Sequence, residues 1–138
     1  ILVGGEGGDF FYFDVIDSPA VLGQVDRIAD WEADQPDPND PFGEIAGDKI
    51  DSTTSGNAFN YGELDGTGAM DFASSLAQAN ARFQDTTPTL ADDVYVFIDN
   101  SAGNDDYLFW DENGDGTADL AVNMGDIDKD DIDYADIT

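Results

Sequence analysis

At 138 residues the chain is long enough for one domain with one real core, and 41% hydrophobic with 12% aromatic residues argue against disorder. Four basic residues (Arg27, Lys49, Arg82, Lys129) face 32 acids, a formal net charge of −28, so nucleic acid and anionic membrane surfaces are poor partners. The absence of Cys and His excludes Cys/His zinc sites, Cys nucleophiles and Ser-His-Asp triads within this chain.

The chain opens with GGEGGDFFYF, Gly4 to Phe13. Glycines take positive φ and turn tightly, which points carbonyl oxygens inward, and Asp9 adds a charged oxygen to that ring. Carbonyls plus carboxylates suit a hard cation such as Ca²⁺. Gly4, Gly5, Gly7, Asp9 and Phe11 fit the calcium-binding nonapeptide G-G-x-G-x-D-x-U-x. A plain glycine turn leading into a strand explains the same residues.

Phe10 to Ile16 predicts a buried strand, broken by Pro19 and Gly23. Gln24 to Trp31 spaces Val25, Ile28 and Trp31 by three, which fits one helical turn or an irregular strand. Residues 32–44, with three prolines and five acids, predict an exposed insertion loop, and GDKIDST (47–53) a returning strand. Residues 54–68 are Gly-, Asn- and Thr-rich, with Phe59 and Tyr61 as expected anchors. Phe72, Leu76, Ala79 and Phe83 form one apolar stripe, predicting a helix over 71–83 with Asp71 as N-cap. Residues 93–99, 106–111 and 118–124 predict a β-meander with Gly/Asn turns between strands. The acidic tail 125–138 keeps Ile127, Ile132, Tyr134 and Ile137, and either docks through them or frays. The fold class expected is mostly β with one α-helix near 71–83. No stretch approaches the ~20 apolar residues of a membrane-spanning helix.

A second cation signal lies between two of those strands. Asp111, Asn113, Asp115, Gly116 and Asp119 read D-x-N-x-D-G-x-x-D, the opening of an EF-hand-type loop, in which Thr117 occupies the carbonyl position. Position 12 should be a bidentate Glu and is Val122, so a helical EF-hand is not expected. The loop is either a calcium-binding hairpin or a plain Asn-Gly/Asp-Gly turn. Asp126, Asp128 and Asp130 form a third, weaker acidic group that lacks the glycine. The acids are lopsided, 27 Asp against five Glu, which favours short oxygen ligands in turns over a merely solubilising coat.

Taken in order, LVGGEGGDFFYF, VDRIADW, GDKID and WDENGDGTADLAV before an acidic, Ile-containing end resemble the C-terminal region of RTX (haemolysin-type calcium-binding) proteins, in particular the segment after the β-roll in serralysin-type proteins. Asp26, Ile28, Asp30 and Trp31 match one family motif, Gly47, Asp48, Ile50 and Asp51 a second, and Asn113 to Asp119 a third. The proline-rich segment 32–44 separates two motifs that usually lie close together. The resemblance implies the end of a parallel β-roll, or its cap, with residues 1–16 as its last repeat, folding on extracellular calcium and exported by type I secretion machinery reading a C-terminal signal. It also implies that Gly5, Gly7 and Asp9 form half a calcium site, completed by an adjacent turn for which Asp26 and Asp30 are the nearest candidates. Proteolysis does not carry over, because the family's zinc motif needs histidines.

Two other readings stand beside this one. A hydrolase would need paired carboxylates such as Asp92/Asp93 or Asp105/Asp106, but adjacent residues on a strand point to opposite faces. A halophilic structural or self-assembling subunit would use its acids as a solvated coat and respond to any salt.

Overall fold

The structure is a computed structural model that describes residues 1–13, 16–36, 44–52, 54–66, 71–85, 94–100 and 103–138. Its strands are β1 (Phe10–Tyr12), β2 (Asp26–Arg27), β3 (Gln35–Pro36), β4 (Glu44–Ile45), β5 (Lys49–Asp51), β6 (Tyr61–Asp65), β7 (Tyr95–Asp99), β8 (Asp106–Trp110) and β9 (Leu120–Gly125), joined by the α-helix α1 (Phe72–Phe83) and two 3-10 turns in the tail. Among the described residues the fold is mostly β with a single α-helix.

The meander 95–125 forms as its alternation requires, with β7, β8 and β9 antiparallel neighbours at the centre of a five-stranded sheet. Both faces are apolar, so both are covered. Val96, Ile98, Tyr107, Phe109 and Ala121 face α1, whose Phe72 meets the Tyr107 ring edge-on at 5.4 Å. The expected stripe is the buried one: Phe72 and Ala79 are buried, and Leu76 and Phe83 pack around them. Asp71 caps the helix by accepting from the Ser74 N–H.

One strand was hidden in the Gly/Asn-rich stretch. β6 lies parallel to β7 along its whole length, and α1 supplies the long crossover that a parallel pair needs. Tyr61 packs against the core as expected, whereas Phe59 is 83% exposed.

The other face of the sheet, including Phe97, Leu108, Trp110 and Val122, is covered by the N-terminal segments and the tail. Here the chain makes two parallel passes. Leu2 bridges Ile28, 26 residues on, and Phe10 of β1 pairs with Lys49 of β5, 39 residues on. The difference of thirteen is the length of segment 32–44. That segment is no simple loop, because β3 and β4 at its ends pair antiparallel; residues 37–43 lie outside the described residues. β1 is shorter than the buried strand expected over 10–16 and alternates, with Phe11 and Phe13 inward and Phe10 and Tyr12 exposed. Within residues 24–31 there is a short strand rather than a helical turn: Asp26–Arg27 form β2, pairing parallel with β9, and Ile28 adds the bridge to Leu2.

The acidic tail docks. Ile132 and Ile137 are each 1% exposed, and the Thr138 N–H donates to the Ile50 carbonyl at 2.8 Å, extending the β1–β5 pair.

Candidate functional site

The glycine turn 4–9 holds Gly5 and Gly7 at φ of 106° and 97°, where a side chain would be strained. What it offers its acidic neighbours is amides. The Gly4 and Gly5 N–H groups donate to the two oxygens of Asp30 (3.1 and 2.9 Å), and the Gly7 N–H donates to Glu32 (3.2 Å). The Asp9 side chain folds back over Gly4, so closely that a Cβ there would sit 2.7 Å from Asp9 Oδ2.

Asp48 ties this turn to the rest. One of its oxygens accepts the Asp9 N–H and the other the Glu32 N–H, both at 2.9 Å, and the residue is 1% exposed. Burial pushes its carboxyl pKa up, against the pull of those two amides. Gly47 permits the close approach, since a Cβ at that position would run into the Glu32 carbonyl and the Ala33 backbone. Beside it Asp34 accepts the Gly47 N–H at 2.6 Å and the Lys49 ammonium at 3.1 Å, and these hold its pKa below the ordinary value. Burial alone would lower the Lys49 pKa, but the carboxylates of Asp136 (2.5 Å) and Asp34 outweigh it and hold the ammonium protonated above its usual range.

Of the expected half-site partners, Asp30 reaches the glycine turn and Asp26 does not. Asp26 lies in β2 opposite Val122, with its carboxylate 3.7 Å from the Ile1 amino group. Glu32 and Asp48 do the bridging instead. Asp48 stands in the GDKID motif, yet only the non-local packing gives it this role.

The second loop is built from its own residues. Asp111, 4% exposed, accepts the Gly114 and Asp115 N–H groups on Oδ1 (2.7 and 3.2 Å) and the Gly116 N–H on Oδ2 (2.7 Å). Asp119 accepts the Glu112 and Asn113 N–H groups and the Asn113 side-chain amide. Asn113 Oδ1 takes the Asp115 N–H, and Asp115 Oδ1 takes the Thr117 N–H. Strands β8 and β9 flank the loop, and Val122 is fully buried in β9, so this is a hairpin loop and not a helical EF-hand. Helix α1 braces it, Asn80 accepting the Ala118 N–H and Gln84 donating to the Gly116 carbonyl.

Both loops present oxygen donors only, the chemistry of a hard cation. The carboxylates of Asp30, Glu32, Asp48, Asp111, Asp115 and Asp119, however, accept backbone N–H groups, and among the described residues no group of three or more acidic side chains is arranged to hold a metal. Asp126 of the weaker third group accepts the Gly103 N–H, while the Asp128 N–H donates to Asp131.

The pair Asp105/Asp106 splits as strand geometry requires. Asp105 forms an ion pair with Arg27 at 3.5 Å, whereas Asp106 is fully buried and accepts the N–H groups of Asn100 and Ile127. Burial raises the Asp106 pKa to about 6. Asp92 and Asp93 lie outside the described residues.

The sequence matches no family model and no curated protein, and the fold matches no solved structure.

Proposed function

We propose that this chain is a non-catalytic, calcium-responsive domain of an exported protein, of the RTX C-terminal kind, acting outside the cell or at its surface. The observation that carries the reading is the meeting of the glycine turn 4–9 with Asp30, Glu32 and Asp48, drawn from two later segments of the chain. The constant offset of the two parallel passes, once segment 32–44 is set aside, supports a coil of β-roll type with an insertion. Asp9 and Asp30 with the Gly5 and Gly7 carbonyls, and Asp111, Asn113, Asp115 and Asp119 with the Thr117 carbonyl, are the groups that would hold the ions. A bound Ca²⁺ would offset part of the −28 charge that opposes compaction. Export by type I secretion machinery follows from the same family reading.

The carboxylates already satisfied by backbone amides favour a second reading, an acidic halophilic structural subunit that needs screening but no particular ion. Isothermal titration with CaCl₂ separates the two. The first reading predicts saturable binding that weakens at least tenfold in Asp115→Ala and in Asp9→Ala. Heats indistinguishable from those of MgCl₂ in all three proteins would favour the second.

A further inference from the structure

A groove runs between segment 31–35 and the C-terminal tail. Its wider part is a cleft of about 360 Å³ lined by Trp31, Ala33, Ala46 and Ile127, with Glu32 and Asp131 also in its lining. A narrower hollow of about 80 Å³ adjoins it, sharing Ala33 and Asp131 and adding Asp34 and Asp136. Those last two acids already hold a cation of the chain itself. Lys49 Nζ lies 3.1 Å from both Asp34 oxygens and 2.5 Å from Asp136, and its side chain is only 14% exposed.

The wide cleft has two acids in its lining, Glu32 and Asp131, each with one carboxylate oxygen on a backbone N–H (Gly7 and Asp128), and no basic residue among the described residues that line it. It adds an aromatic wall. The Trp31 ring is fixed in place because its Nε1–H donates to the Asp131 carbonyl at 2.9 Å. An apolar wall beside carboxylates suits a side chain with an aliphatic stem and a charged head. A guanidinium fits better than an ammonium, because its plane stacks on indole and its fork meets a carboxylate with two N–H groups. The volume lies within the range of small ligand sites, and the −28 charge draws cations toward it.

We propose that this cleft receives an arginine side chain from a basic segment of a protein partner. The inference does not rest on the calcium reading. It is tested by ¹H–¹⁵N NMR on the full chain in 150 mM NaCl and 1 mM CaCl₂, with folding verified by circular dichroism. The probe is acetyl-Gly-Arg-Gly-amide, compared with the same peptide carrying citrulline, which keeps the shape and loses the charge. The expected result is a saturable shift of the Trp31 indole N–H while that of the core residue Trp110 stays put. Citrulline should bind at least tenfold more weakly, and Glu32→Gln and Asp131→Asn should each weaken arginine binding at least threefold. Equal response to the two peptides, or shifts spread over the acidic surface with none that saturates at Trp31, overturns the proposal.

Discussion

The two acid–amide loops differ in where their partners come from. In the 111–119 loop every carboxylate–amide bond spans two to seven residues, so the loop closes on itself once β8 and β9 pair. In the glycine turn the corresponding bonds span 25, 26 and 39 residues, and Asp48 joins Asp9 to Glu32. The first is a local device that a short sequence specifies. The second is a seam that exists only when both parallel passes are in place, so losing one bond there releases a larger part of the molecule.

The sharpest way to break the seam is Gly47→Ala. The new Cβ meets backbone rather than a flexible side chain, so a loss of about 3 kcal/mol or more is expected in urea denaturation. Asp48→Ala should follow, at about 3 kcal/mol, because it strands two partly buried amides at once and empties a buried position. Hydrogen exchange would show β1 and β5 opening in that variant while β8 and β9 stay protected. Asp111→Ala should cost less, about 2 kcal/mol, since most of its loop is exposed and water can reach some of the freed amides. It should leave β1–β5 exchange unchanged; if it opens both regions equally, the local-versus-seam distinction fails.

The smallest effect expected is on pH dependence. Asp106, with its pKa raised from 3.8 to about 6, binds its proton more tightly in the folded state. Its contribution is therefore full below pH 3.8 and is lost as pH rises through about 6. The raised carboxyls of Asp48, Asp136 and Glu63 act in the same direction. Asp34 and Asp71, with lowered pKa values, oppose it only below their ordinary value. Acidification from pH 7 to 5 should raise the melting temperature, and Asp106→Asn should flatten that slope.

What could be read from the sequence follows the same divide. The α1 stripe, its Asp71 cap, the meander and the composition of the 111–119 loop depend on neighbours a few residues apart, and each stood in the pattern. β6 was missed because Gly62 and the surrounding Asn and Gly residues mask a strand whose partner, β7, lies beyond a helix. Spacing alone does not separate Asp26 from Asp30: in β2 Asp26 pairs with Val122 of β9, whereas Asp30 accepts the glycine-turn amides. Glu32 sat in a segment that read as a solvated insertion, although its backbone and side chain both join the seam.

Under the proposed function, calcium in particular stabilises this acidic fold. A thermal melt followed by far-UV circular dichroism, in chelator, in millimolar CaCl₂, and in NaCl and MgCl₂ at matched ionic strength, decides whether it does. A ligand that binds only the native state stabilises it by ~2.7 kcal/mol per site at a hundredfold excess over Kd. The melting temperature should therefore rise with CaCl₂ well above its value in either control. A melt in chelator as high as that in CaCl₂, or equal rescue by NaCl, would contradict the claim.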